Sequence, residues 1–293
     1  MQEHTRFDYS PIVKRPPWKL PNDARVAVWV IPNIEHFRFD RPSTSVSQAG
    51  VGLVPDVLNY SWRDYGVRVG VWRMMEVMER HGVKGTVALN SEVCARYPEI
   101  IDAGNKLNWE WMGHGQSNSI LWTGLDADKE RFLIRDVLDT IERSSGARPR
   151  GWLSPALTET LNTPDLLAEA GVEYVGNWVN DDQPYPMKVK SGSLISMPYS
   201  IEVNDIPACL GYKLSGEQFG QLIRDQFDVL YEDGERTGRV MAISLHPFLT
   251  GHPHRSKYFD QALRHIARCR QVWFARGDEI VDWYKRTMPR NSP

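Results

Sequence analysis

An α/β fold, an irregular TIM-like barrel of seven or eight strand–helix units, is what this 293-residue sequence predicts. Three observations predict it. Short apolar runs alternate with amphipathic stretches of helical period along almost the whole chain, the order that builds a parallel sheet. No segment repeats another, so the units need not be regular. Four of the apolar runs stop at polar residues capable of chemistry: 25–31 at Asn33 and Glu35, 108–113 at His114 and Asn118, 172–179 at Asn180, Asp181 and Asp182, and 239–245 at His246. In such a barrel the carboxyl ends of the strands share one mouth, so side chains distant in sequence are expected to meet there. A doubly wound open sheet is the competing architecture, but no G-x-G-x-x-G turn follows the first strand, and nucleotide binding has no support.

The first 24 residues, with Pro11, Pro16, Pro17 and Pro21 among charges, read as an arm without its own core, and 25–293 as a single catalytic domain. The run RVAVWVI (25–31) is the first strand. From there to about Ser61 the chain carries Pro42, Gly50 and Pro55; this stretch is too long for a mere connection and reads as a site loop. A Met- and Val-striped helix over 70–81 leads to strand 83–89, and Ser91 caps a helix reaching Ala103. Strand 108–113 passes through a glycine-bearing loop into a long amphipathic helix, 127–144, that turns Glu130, Arg135, Asp136 and Glu142 outward. Strand 150–154, helix 164–171, strands 172–179 and 193–200 and a helix around 215–232 follow. Strand 239–245, a helix around 258–268, strand 271–275 and a terminal helix 278–287 complete the series.

Thirty-five Lys and Arg stand against 37 Asp and Glu, a net charge of −2, and no basic run or aromatic stacking platform is present. That balance argues against nucleic acid or an acidic membrane surface as partner. Cys94, Cys209 and Cys269 are odd in number and widely spaced, which fits reduced thiols in a cytoplasm better than a disulfide framework. None adjoins a strand-end histidine, so a cysteine nucleophile is not expected. The N-terminus lacks an apolar core and no window approaches the ~18 apolar residues of a membrane span, so the chain reads as cytoplasmic.

Asn33 and Glu35 lie two apart and share a face if the strand persists, which brings Glu35 into the mouth as acid, base or ligand. Alone, such a pair is more often a solvated strand end; its weight comes from its company. His114 opens a GHGQSNS run whose glycines allow close backbone approach, and it suits proton transfer, metal ligation or a satisfied place in the core. His114-x3-Asn118 has the spacing of a paired-histidine metal site whose second member is asparagine, a poor zinc ligand. In Arg148-Pro-Arg-Gly-Trp152 the arginine fork suits a carboxylate or carbonyl, although a surface ion pair is an arginine's usual fate, and Trp152 either walls a pocket or fills the core. Asp181 beside Asp182 suits acid–base work or the capping of a turn before Pro184. Pro198-Tyr199 and Asn204-Asp205 are equally ambiguous. His246 ends the run VMAISL and is fixed by Pro247, as a general acid needs to be. Trp109, Trp111, Trp122, Trp152 and Trp178 are expected to wall a small mouth, with 36–61 as its lid.

In order along the chain, HGVKGTVALNSEV, GHGQSN, ARPRGW, the acidic pair before PY, PYSIEVND and SLHP resemble the motifs of the polysaccharide deacetylase (NodB-homology) superfamily, from about Arg25 to Trp283. The likeness is nearer to the branch that contains metal-independent allantoinase and cyclic imide hydrolases. It implies the NodB type of deformed (β/α)7–8 barrel. Ordinary deacetylases of the superfamily use an aspartate base, an aspartate and two histidines on a metal, an arginine–tryptophan motif and a late histidine acid. The matching positions here hold Asn33 for the base, Glu35, His114 and Asn118 for the ligands, Arg148 to Trp152 for the motif and His246 for the acid.

The resemblance therefore implies a hydrolase that uses no metal or other cofactor. Its substrate would be a small cyclic imide or ureide, such as succinimide, maleimide, a dihydropyrimidine or a hydantoin-like ring, with allantoin the closest rival. Glu35, His114 and His246 are the expected catalytic residues, the choice of base between Glu35 and His114 staying open. Asn33, Asn118, Arg148, Trp152, Asp181 and Tyr199 are expected to bind substrate. A homo-oligomer, by resemblance a tetramer, is also implied. Metal-dependent sugar N-deacetylation and an inactive binding scaffold are the other readings; Asn33 and Asn118 disfavour the first, and the retained Glu35, Arg148 and His246 the second.

Overall fold

The computed structural model describes residues 4–41 and 52–288. Its strands are β1 Val26–Ile34, β2 Thr86–Leu89, β3 Glu110–Gly113, β4 Gly151–Trp152, β5 Tyr174–Val175, β6 Tyr185–Met187, β7 Leu194–Ser196, β8 Arg239–Leu245 and β9 Val272–Phe274. Between them lie α1 Val57–Tyr65, α2 Val71–Arg80, α3 Ser91–Arg96, α4 Pro98–Lys106, α5 Ala127–Ser145, α6 Thr163–Glu169, α7 Gly216–Asp233, α8 Pro253–Ala267 and α9 Gly277–Thr287. The strands form one curled sheet in the order β6-β7-β5-β4-β3-β2-β1-β8, with β9 against β1 off that path. Of the described pairings, β6 with β7 is antiparallel and the others are parallel.

All nine residues of β1 are buried, as a parallel strand covered on both faces must be. Ala27, Trp29 and Ile31 cluster inside the barrel with Ala88, Met112, Leu153, Tyr174, Met197 and Ala242. The alternate residues Val26, Val28 and Val30 pack outward with Met74, Met78, Ile134, Leu138 and Phe227 of the helices. One edge of β1 is paired along its length by β8, from Val26–Arg239 to Pro32–Leu245. The other edge is shared by β9 at its start and β2 at its end. The remaining edge of β8 meets two loops instead of a strand: Val240 N–H donates to Asp182 O (2.8 Å) and Ser244 N–H to Val203 O (3.0 Å). The barrel is therefore deformed, and this closure brings Asn204 and Asp205 beside the end of β8.

Several elements differ from the sequence reading for identifiable reasons. The helix expected from Ser91 to Ala103 breaks at Tyr97, because Pro98 disfavours helical backbone in the residue before it. The loop expected to reach Ser61 already contains α1, which continues through a π-type turn, Gly66–Gly70, into α2; positions 42–51 of that expected lid lie outside the described residues. A Cβ at Gly70 would sit 2.1 Å from Pro247 O, so glycine lets this turn lie against the loop that follows His246. Glu130, expected outward, is fully buried and accepts hydrogen bonds from Thr160 Oγ1 (2.6 Å) and from Thr163 Oγ1. The expected strands 172–179 and 193–200 shrink to two and three residues.

The described part of the arm, residues 4–24, is tied down. Trp18 is 2% exposed, lies edge-on to Tyr284 at 5.8 Å and donates its indole N–H to Thr287 Oγ1 at 2.9 Å. Arg6 forks onto Asp165 (2.9 and 3.0 Å). Among the described residues no helix is long and apolar enough to cross a membrane.

Candidate active site

The strand ends do converge. β1 delivers Glu35 to the mouth with a side chain 4% exposed. Its Oε1 is the focus of three nitrogen atoms from two chain segments: His114 Nε2 at 3.4 Å and Asn118 Nδ2, which donates to it, from the loop after β3, and His246 Nε2 after β8 at 3.4 Å. Its Oε2 is buried with no hydrogen-bond partner. Such an acceptor is costly to leave unmet.

Each partner is fixed from behind. His114 Nδ1–H donates to Leu153 O at 2.6 Å, so β4 sets the orientation of the ring. His246 Nδ1–H donates to Asp205 Oδ1 at 2.7 Å, and the same carboxylate accepts from His246 N–H (2.8 Å) and Thr250 Oγ1 (2.6 Å) through Oδ2. Asp205 is 0% exposed, and sequence spacing gave no reason to join it to His246. Asn90, at the N-terminus of α3, makes no side-chain cap there. It instead stitches two strand-end loops together, accepting from His36 N–H (2.8 Å) and Asn118 N–H (3.2 Å) and donating to Asn118 Oδ1 (2.9 Å) and to His114 O. Gly115, at φ +66°, makes the turn between His114 and Asn118, and a Cβ there would come within 2.8 Å of Pro155 and Trp122.

Electrostatics follow from this packing. Burial pushes the Glu35 carboxyl up, but the charge and hydrogen bond of His246 and the close approach of the His114 ring outweigh it and hold it at about 2. Burial likewise pulls His246 down, yet the charges of Glu35 and Asp205 and their hydrogen bonds raise it to about 9. At neutral pH the pair is carboxylate and imidazolium: a poised proton donor beside an anion.

Asn33 supports the site without facing Glu35's partners. Its Nδ2 donates to Ser244 Oγ (3.0 Å) and Leu245 O (3.2 Å), and Tyr199 OH shares the same Ser244 hydroxyl. Three expected residues lie elsewhere. Arg148 is 40% exposed and pairs with Asp139 (2.8 Å) and Glu142 (2.7 Å) at the end of α5, because the chain there precedes β4 and has not yet reached the mouth. Trp152 points outward from β4, edge-on to Trp122 at 5.1 Å, and it is the next residue, Leu153, that faces inward. Asp181 is held by Arg15 of the arm at 2.7 Å and lines, with Tyr199, a separate groove of about 1190 Å³ between the arm and β8. Trp109, Trp111 and Trp122 likewise fill the outer core instead of walling the mouth.

The space that does adjoin Glu35 is about 10 Å³ and is lined by His36, Phe37, Tyr60, Arg63, Asp64, Val67 and Tyr97. That is about one water. As a metal site the donors fit poorly: zinc asks for three protein ligands or more. Asn118 has its oxygen engaged by Asn90 and presents an N–H, and His246 carries a proton, which leaves Glu35 and His114. The residues do not suit a resident metal.

No family model matches the chain. It is similar to a putative polysaccharide deacetylase of Schizosaccharomyces pombe, 27% identical over 93% of each chain. Among solved structures it resembles a probable polysaccharide deacetylase from Pseudomonas aeruginosa, with 28% identity, a TM-score of 0.87 and coverage of 94% of this chain and 96% of that one. It also resembles PuuE allantoinase, with 25% identity, a TM-score of 0.86 and coverage of 97% of this chain and 100% of that one. Across nearly its whole length, on the deformed barrel and strand-end geometry described above, this chain is thus similar to polysaccharide deacetylases and to an allantoinase of the same fold.

Proposed function

We propose that this chain hydrolyses a carbon–nitrogen bond in a small cyclic imide or ureide, without a metal. The observation that carries the reading is Glu35, which pairs with His246 and lines a space of about one water, with Asn118 turned as a donor where a metal ligand would be needed. A polymer substrate asks for an open groove at the chemistry, whereas a small ring asks for an enclosed pocket. A ring enters here by displacing side chains that line this space.

Water bound at Glu35 Oε2 attacks a ring carbonyl. Its proton passes to Glu35, the new C–O bond forms, and the C=O electrons move to oxygen. Collapse of that intermediate breaks the C–N bond as His246 Nε2–H protonates the departing nitrogen. Glu35, held at about 2, is a weak base at rest. The cause is largely the charge of His246, so as His246 gives up its proton Glu35 grows more basic, and the two transfers assist each other. The 3.4 Å between Glu35 Oε1 and His246 Nε2 lets the proton return directly, regenerating the pair. Negative charge that develops on an imide nitrogen before it is protonated is delocalised onto the second carbonyl, which lessens the need for a Lewis acid.

PuuE allantoinase, similar over nearly all of both chains, makes allantoin the rival ring. The test is a panel of succinimide, dihydrouracil, hydantoin, allantoin and an N-acetylated chito-oligosaccharide, followed by mass spectrometry. Ring opening with gain of one water is expected; acetate release from the oligosaccharide with every ring intact would overturn the reading.

A further inference from the structure

Hydrolysis of any amide passes through an oxyanion, and the donors that surround Glu35 are already directed elsewhere. His114 Nε2, His246 Nε2 and Asn118 Nδ2 converge on Glu35 Oε1. Asn33 Nδ2 turns to Ser244 and Leu245. Arg63, carried by α1, lines the same small space as Glu35. Its guanidinium lies 3.7 Å over the Phe37 ring and 5.9 Å from that of Phe248, and Phe248 in turn lies 5.3 Å from the His246 ring. An arginine packed on an aromatic face keeps its fork in one plane and one place.

We propose that Arg63 is the electrophilic residue of this site, its guanidinium receiving the oxygen of the attacked carbonyl and the negative charge that develops there. A guanidinium has five N–H donors in a fixed fork, so it can hold substrate oxygen alongside another partner. Burial pulls Arg63 down to about 10, with Glu35 and Asp56 opposing, so it remains a cation throughout the neutral range. A neutral ring adds no charge to the site, and water attack then moves negative charge from Glu35, which takes the proton, to the oxygen that Arg63 receives. The charge pair between that oxygen and Arg63 exists only after attack, the condition for accelerating the step.

This proposal rests on the reading of the site as an amide hydrolase, and the test separates the two. Wild-type enzyme first identifies its own best substrate from the panel above, and that substrate is used throughout, since a ring or an N-acetyl sugar forms the same kind of oxyanion. The choice of substrate judges the functional reading; the variants judge Arg63. Arg63→Met, which keeps the stem over Phe37, is expected to lower kcat by ~10²–10³ with KM changed by less than about threefold, the range for losing one oxyanion donor. Its pH profile should keep both limbs, because neither Glu35 nor His246 has been touched. Arg63→Lys keeps the charge, loses the fork and is expected to lie between, which keeps the test decisive if Arg63→Met fails to fold. A folded Arg63→Met or Arg63→Lys with wild-type kcat, or a loss confined to KM, would overturn the proposal.

Discussion

Replacing Asp205 by asparagine removes one charge and almost no volume, so it isolates what the buried carboxylate does for His246. Asp205 accepts three hydrogen bonds, from His246 Nδ1 (2.7 Å), His246 N (2.8 Å) and Thr250 Oγ1 (2.6 Å). Asparagine offers one acceptor oxygen and an amide that faces a donor. Thr250 can rotate to accept, but either the backbone N–H of His246 or its ring N–H is left unmet, a cost of about 1–3 kcal/mol in stability. Raising His246 from 6.5 to about 9 corresponds to roughly 3 kcal/mol in favour of the imidazolium, won against burial by Glu35 and Asp205 together. Losing one of those two anions, and the bond that fixes the tautomer, should cut kcat by ~10²–10⁴, as for other oriented imidazoles. The alkaline limb of the kcat–pH profile, near 9 in the wild type where the acid loses its proton, should move down toward the ordinary histidine range. The assay is ring opening across pH, with the His246 ring followed by NMR. A variant with kcat within about threefold of wild type and an unmoved limb would refute the reasoning.

Two other outcomes follow from the same geometry. Arg148→Ala should leave kcat and KM unchanged and cost less than about 1 kcal/mol, since its ion pairs are exposed; a loss above a hundredfold in steady-state kinetics would return Arg148 to the site. Stability should also depend on pH in a stated direction. Glu35, held at about 2, contributes stability that is present above its ordinary value of 4.5 and is lost as pH falls through about 2. His246, raised to about 9, contributes stability that is complete below its ordinary 6.5 and is lost as pH rises through about 9. The Tm difference between wild type and Glu35→Gln, by calorimetry, should therefore be most in favour of wild type at about pH 5–6 and shrink on both sides; a difference flat with pH would contradict this pairing.

Long elements with one period were legible in the sequence. The 127–144 stripe becomes α5, and 239–245 is β8 residue for residue. The short strands were legible in place but not in length, because β5 and β7 are held by neighbours on both sides and carry no alternation of their own to mark their ends. The antiparallel β6 was missed altogether: Tyr185-Pro-Met reads as a turn, and an edge position is what tolerates its proline. At the site, strand-end position correctly brought Glu35, His114, Asn118 and His246 to one place. The same rule misplaced Asp181, because β5 ends at Val175 and the chain beyond it turns to the arm; the arginine–tryptophan motif misplaced Arg148 and Trp152, because β4 begins only at Gly151 and sends its tryptophan to the outer face. Asp205 and Asn90 act through loops that close a deformed barrel, and only the pairing of Val203 with Ser244 and of Asn118 with Asn90 reveals them. Arg63 lay between the expected site loop, which ended at about Ser61, and the helix expected from 70, and its α1 helix gives it the position that the sequence reading withheld.

The central claim is that Glu35 and His246 open a small ring without a metal. Its most direct test is kcat on the preferred cyclic imide before and after exhaustive chelation, with zinc and other metals counted in the same sample. Unchanged kcat at far less than one metal per chain is the predicted result. Activity that disappears with the metal and returns when zinc is restored would contradict it.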